Sequence, residues 1–449
     1  MKRNLLSFIL VVLFIGAAGF VVLQYKNKEQ KKRTAVYTLL ERKGTQSKTE
    51  EWKFIKSAVE KLQAAVQQNP ADKKSLTALA NYMIMEARAS GNYSYYDAAA
   101  MEYVNDVLAA DANNFEALCL KALIQLSQHH FSEGLATAES VRKNNPYSAF
   151  VYGILVDANV ELGKYDSAVA AAENMMAIRP DLRSYARASY LREIHGDYPG
   201  AIEAMQAAIE AGSPGDEATE SSRVQLGQLY ENTGDIKNAS MQYTLAANNR
   251  PGYPYPLAGL ARIATANKEY DKALLFYLQA DSAVSDLAFK EDIADMYRMM
   301  GQADKAKEIS NKTLDEMEEK AAAAVTDESI GHYSDKEMAE AYIKNGDYDK
   351  AVAHALAEYN RRPANIDVNE TLAWAYYNKG DNSKAFQYVT TALRTQSNHP
   401  RLLCRAGLIY LQQGDKTAAK KLLQAGLQNN ANIFPFLKDA SSKALKQLS

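Results

Sequence analysis

The eight residues NGDYDKAV, 345–352, spell a polar turn running into a helix, and the chain writes the turn repeatedly: LGKYDSAV at 162–169, HGDYPGAI at 195–202 and NKEYDKAL at 267–274. With the turn glycine as a ruler, the marks are Gly163, Gly196, Gly234, Gly301, Gly346, Gly380 and Gly414, with Lys268 in the same place between two of them. The steps are 33, 38, 34, 33, 45, 34 and 34 residues. Five residues past each mark stands an alanine: Ala168, Ala201, Ala239, Ala273, Ala306, Ala351, Ala385 and Ala419. Pro146 and Pro180 keep the same 34-residue beat, with Pro251 and Pro363 in equivalent places. A fixed period of this length is the signature of a repeat architecture.

Each part of the unit has a physical reason. The stretch before the glycine carries apolar residues at helical spacing, as in Leu226, Leu229 and Tyr230. Glycine takes positive φ at no steric cost and so ends that helix. The aspartate that often follows (Asp197, Asp235, Asp347, Asp381, Asp415) can accept from the free amides that open the next helix. The alanine lets the second helix approach the first closely, and the proline stops the second helix. Each unit is therefore a helix–turn–helix hairpin whose apolar face is buried only by stacking on its neighbours.

Composition agrees. Of 449 residues, 47% are hydrophobic and 24% charged, enough for a folded core. A formal net charge of −2 gives no overall drive toward nucleic acid. Cys119 and Cys404 lie far apart in apolar helical stretches, so they read as small buried hydrophobes and not as a disulfide or metal pair. The N-terminus differs from the rest: after MKRN, Leu5 to Leu23 carry no charge. As a helix this run spans about 28 Å, close to the hydrocarbon thickness of a bilayer. Gly16-Ala17-Ala18-Gly19 partly fits a signal cleavage site, but the apolar run continues to Leu23, which favours an uncleaved anchor. Lys26, Lys28, Lys31, Lys32 and Arg33 follow the span, so a positive-inside count would leave the array cytoplasmic. The signal-like start favours export, with the array extracytoplasmic (periplasmic).

The residues resemble the tetratricopeptide repeat family. The best match is Leu226-Gly227-x-x-Tyr230, followed by Ala239-x-x-x-Tyr243, Ala246 and Pro251. Close variants run from Leu260-Ala261 and from Leu372-Ala373-x-x-Tyr376, while the early tryptophan of the pattern is replaced by Arg223, Leu257 and Asn369. The resemblance covers residues 50 to 432 and implies an all-α fold. That fold is an α-α superhelix of about ten helix–turn–helix repeats, preceded by an N-terminal transmembrane or signal helix. The expected organisation is a membrane or signal segment at 1–24 and a basic stalk at 25–48. An array follows at 49–320, continues at 321–432 after an insertion that lengthens one helix and adds a bend, and ends in a capping helix at 433–449. An extended turn is expected at 89–99, ASGNYSYYDAA, and a solvated turn at His129-His130.

The resemblance also implies that the first helices line a concave groove. It places there Tyr190, Glu193, Gln228, Glu231, Arg262, Asp295, Arg298, Glu340, Trp374 and Tyr377. Aromatic and arginine side chains are the types enriched where proteins bind one another. Phosphate-loop and Gly-x-Ser-x-Gly patterns are absent, and no cofactor or metal is expected. The expected function is a non-enzymatic scaffold that holds a protein or peptide partner in the groove. A solenoid enzyme acting on envelope polysaccharide would need two carboxylates at a set separation, and Glu193 with Glu231 is the pair available. A purely structural stalk is the third reading.

Overall fold

The computed structural model describes residues 37–326, 333–429 and 434–448. The apolar run at 5–23 and the bend expected beyond residue 326 lie outside them. Among the described residues there are 22 α-helices, one short 3-10 turn at Gly44–Lys48 and no strand. None of these helices is long and apolar enough to cross a membrane.

A lone helix, α1 (Glu50–Gln68), precedes ten hairpins. They are α2 (Lys73–Ser90) with α3 (Tyr93–Ala110), α4 (Phe115–Ser127) with α5 (Phe131–Asn144), and α6 (Ala149–Glu161) with α7 (Tyr165–Ile178). Next come α8 (Leu182–Ile194) with α9 (Tyr198–Glu210), α10 (Glu217–Asn232) with α11 (Ile236–Asn249), and α12 (Pro254–Ala266) with α13 (Tyr270–Asp281). The last four are α14 (Leu287–Met299) with α15 (Ala303–Thr326), α16 (Asp335–Asn345) with α17 (Tyr348–Arg361), α18 (Ile366–Lys379) with α19 (Asn382–Ala392), and α20 (Pro400–Gln412) with α21 (Lys416–Asn429). A final helix, α22 (Pro435–Gln447), packs Leu437 and Leu445 on Leu408 and Leu423, as a following unit would. The insertion appears as the 24-residue length of α15.

The ruler positions behave as the sequence predicts. The seven glycines have φ between 70° and 89°, and Lys268 sits at 62°. Asp197, Asp235, Asp347, Asp381 and Asp415 each accept from the backbone N–H three residues on, at 2.9 to 3.2 Å. All eight alanines are at most 1% exposed, because each lies where the two helices of a hairpin cross.

Three expectations are corrected. The segment 37–48 does not stand off as a stalk. Tyr37 packs edge-on to Tyr95 and Tyr103, the Leu40 N–H donates to the Tyr96 hydroxyl, and Arg42 is buried against Glu86 at 2.6 Å. Glu86 is wholly buried, and Arg42 supplies the charge that compensates it. The tyrosine-rich stretch is not an extended turn either, since only Gly91 and Asn92 separate α2 from α3. The His129-His130 turn is only partly solvated. His129 holds the glycine place with φ of 63°, its Nδ1 lies 2.6 Å from the Tyr333 carbonyl oxygen, and His130 stacks on the Tyr333 ring.

That last contact belongs to a series. The Ser285 N–H donates to the Ser90 carbonyl, Glu51 pairs with Arg250, and Glu161 pairs with Arg362. The Ile366 N–H donates to the Tyr165 hydroxyl, and Asn398 donates to the Gly196 carbonyl. The separations run from 195 to 204 residues, or six units of 34. The superhelix therefore completes one turn in six hairpins, and successive turns touch. Turn glycines in the contact are crowded: a Cβ on Gly163 would lie 2.2 Å from the Ala364 carbonyl oxygen. Those at the free edge, Gly301, Gly346, Gly380 and Gly414, have nothing within 4 Å.

Candidate binding lumen

The first helix of each hairpin faces the superhelix axis, and its inner residues meet those of the next first helix. The result is a ladder of polar pairs. Asp157 on α6 holds Arg187 on α8 at 2.6 Å. Glu193 on α8 accepts from Asn232 on α10 at 3.3 Å. Glu231 on α10 holds Arg262 on α12 at 2.7 Å and also accepts from the Tyr243 hydroxyl. Asp295 on α14 pairs with Arg298 on the same helix and with Lys344 on α16 at 2.8 Å. Glu340 on α16 receives two bonds from Arg405 on α20, at 2.8 and 2.9 Å, and one from Thr371 on α18. Glu370 on α18 binds Arg401 and Arg405.

The ten expected groove residues thus fall on one inner surface but in four situations. Tyr190 and Gln228 are exposed. Glu231 and Asp295 are each 3% exposed and committed, with Arg262, Arg298 and Glu340, to holding neighbouring hairpins together. Trp374 and Tyr377 stack on each other with centroids 4.9 Å apart, partly buried beside the cluster of α20, α21 and α22, and Arg405 covers the indole. Glu193 remains half-buried with a neutral amide as its partner.

Several charged residues of these first helices were not among the expected residues. Asp157 stands in the same register as Tyr190. Arg187, Asp292 and Arg405 lie two residues before the small residue of their helices, and Glu370 and Lys336 lie three before it. All are one helical turn from an expected position, so spacing of three or four residues would have found them.

Crowding sets the electrostatics. Tyr190 keeps 41% of its surface accessible, yet burial pushes its hydroxyl well above the usual tyrosine range. Burial raises Glu193 to about 7 against the pull of Asn232. Asp292 is likewise raised to about 7, burial outweighing Lys344. Burial lowers His399 to about 4, with Arg401 adding to the effect. At Glu340 burial acts upward, but Arg405 outweighs it and holds the carboxyl well below the usual range.

One carboxyl near 7 could act as a general acid. Its nominated partner, Glu231, is occupied by Arg262 and Tyr243. The same rise occurs at Asp292 and at Asp97, which accepts from the Ser127 hydroxyl at 2.6 Å. Burial is the largest cause of all three shifts, on the inner face and, at Asp97, in a second helix. Among the described residues no group of three or more His, Cys, Asp or Glu is placed to hold a metal ion. A cavity of 590 Å³ opens on the axis, lined by Tyr93, Phe131, Asp157, Glu161, Tyr255, Lys336 and Arg362 among others. These residues come from both turns of the superhelix.

Comparison with known proteins agrees with the repeat. Tetratricopeptide repeat models match residues 221–253, 336–400 and 370–432. No curated protein matches the sequence. Similar solved structures include a tetratricopeptide repeat protein of Parabacteroides merdae, at 21% identity over 60% of this chain and 98% of that one, with a TM-score of 0.32. The TPR protein TTC0263 of Thermus thermophilus is 19% identical over 40% and 92%, with a TM-score of 0.36. The Cut9–Hcn1 hetero-tetramer of the APC/C is 12% identical over 88% and 93%, with a TM-score of 0.37.

Proposed function

We propose that this chain, a tetratricopeptide repeat protein, is a non-enzymatic scaffold that holds a protein or peptide partner in its lumen. The observation that carries the reading is the division of labour on the inner face. Most polar side chains there are spent on the ladder, while Tyr190, Gln228 and the 590 Å³ axial cavity remain open to a ligand. Exposed aromatic and amide groups on a rigid wall suit recognition of polypeptide. Residues 5–23 tether the scaffold to a membrane, with the array on the extracytoplasmic side.

Capture from an extract of the source cell tests this, using the full chain in detergent. A partner retained by wild type and by Met241→Ala/Leu275→Ala on the outer face, but lost by Tyr190→Ala/Gln228→Ala, supports the lumen. The opposite pattern moves binding to the outer face. Loss in neither variant refutes the placement. Resistance of the chain to alkaline extraction tests the tether, and digestion of the array by protease added to the exposed periplasm tests its side.

A further inference from the structure

The contact between the two superhelical turns forms a continuous seam. The start of α1 and the hairpin turns of the first turn dock on the inter-hairpin loops about six units on: 51 on 250, 90 on 285, 129 on 333, 161–165 on 362–366 and 196 on 398. Its chemistry differs from that within a turn. Neighbouring hairpins share apolar clusters, such as the one that joins α16 to α20 through Leu372, Ala373, Val389 and Ile409. The seam is held mainly by polar contacts at helix ends: the ion pairs Glu51–Arg250 and Glu161–Arg362, Arg362 over the Phe131 ring, Arg394 over the Tyr165 ring, and single hydrogen bonds. Arg394 donates to the carbonyl oxygens of Gly163 and Ala364, and Asn365 donates to those of Val160 and Glu161. Ile366 is an apolar side chain that crosses it, joining the cluster of α4 to α8. Surfaces joined by polar contacts at their edges part more readily than apolar cores.

The seam also walls the binding space. Glu161 and Arg362, which pair across it, both line the axial cavity, and so do His129 and Ser285. We propose that the seam is a latch. In the closed state it shuts the side of the lumen and leaves access along the axis. Parting the two turns opens a lateral slot through which a bulky partner enters, while each turn keeps its apolar clusters and its ladder. Arg394, Asn365 and Asn398 are the latch residues, and Gly163 is a point where the backbones of the two turns are in close contact. The latch rests on the lumen being the binding surface, but its motion can be measured with no partner present.

The test uses the full chain with Tyr190→Cys, which puts a thiol on the lumen wall. The native Cys119 and Cys404 are buried and stay silent. Labelling is followed with a small maleimide and with one carrying a long poly(ethylene glycol) chain. The small reagent reacts alike in all forms. The large one is slow in the parent and accelerates about tenfold or more in Arg394→Ala/Asn398→Ala, since loss of the charge-assisted Arg394 bond to Gly163 alone favours opening by that order and loss of the neutral Asn398 bond adds to it. Gly163→Ala acts in the same direction. Gly380→Ala imposes the same positive-φ strain with nothing near it and leaves the rate unchanged. Arg394→Ala/Asn398→Ala adds no atoms and no positive-φ strain, so it remains informative if Gly163→Ala fails to fold. A large reagent that reacts as fast in the parent as in the seam variants overturns the latch. So does an equal acceleration by Gly380→Ala. Loss of partner capture with the labelling pattern intact would instead sink the lumen as the binding surface.

Discussion

Arg262→Ala removes a side chain that sequence reading assigns to partner binding and that the structure assigns to the fold. The Arg262 guanidinium donates to Glu231 at 2.7 Å and to the Tyr243 hydroxyl at 3.0 Å, and lies 5.8 Å from the Tyr243 ring. Glu231 is 3% exposed, so the substitution leaves its carboxylate buried with the Tyr243 hydroxyl as its remaining described donor. Stranding one partner of a fully buried ion pair costs about 3–5 kcal/mol. The Arg262 side chain is 35% accessible, and water can fill part of its place, which brings the expectation to about 2–3 kcal/mol. Urea unfolding followed by far-ultraviolet circular dichroism measures it, with the slope checked because a repeat array can unfold in parts. Adding Glu231→Gln to Arg262→Ala should recover most of the loss, since a neutral amide needs no counter-charge. A loss below about 0.5 kcal/mol, the level of an ordinary surface substitution, would refute the reasoning. Until that measurement is made, a partner lost from Arg262→Ala cannot be taken as a groove contact.

Asp97 is 2% exposed, and burial raises its carboxyl to about 7 from 3.8. The folded chain therefore holds this proton more tightly than the unfolded chain. Stability from this group is full below about pH 4 and declines as pH rises toward 7. Asp97→Asn should flatten that part of the profile and gain roughly 2–4 kcal/mol at pH 8 in urea unfolding. A profile as steep as wild type would contradict the assignment. Asp381→Ala removes the acceptor for the Lys384 N–H at the start of α19 and should cost about 1 kcal/mol, with Asp381→Ser nearer wild type. An unchanged midpoint would deny the cap its role. Burial pushes the thiols of Cys119 and Cys404 up to about 12 and about 11. Neither should react with a disulfide reagent in the native chain, and both should react in denaturant; prompt native reaction would mean that the hairpins around them open.

The fold was legible because its grammar is local. A glycine at positive φ, an aspartate cap and a close-packed alanine recur within one unit, and each works through neighbours a few residues away. The inner surface was legible as a surface, since helical spacing puts its residues on one face. The pairing of its charges was not, because whether Glu231 meets Arg262 or solvent depends on how consecutive hairpins are rotated. The seam was the least legible feature. Its partners lie about 200 residues apart, and its bonds come from Asn365, Arg394 and Asn398, polar loop residues that carry no periodic mark. The six-unit turn follows from small rotations summed over many hairpins, which no single stretch of sequence spells out.

The closed two-turn superhelix is tested most directly by amide hydrogen exchange at Ile366 and Ser285. Each N–H is bonded only across the seam, to the Tyr165 hydroxyl and to the Ser90 carbonyl. Ile366 is the first residue of its helix and has no partner inside it. The account predicts that both amides are protected in the native chain, and that Tyr165→Phe releases Ile366 while leaving Ser285 protected. Both amides exchanging as fast as an unfolded chain, with Leu372 in the middle of α18 still protected, would show that the hairpins fold but the turns do not meet.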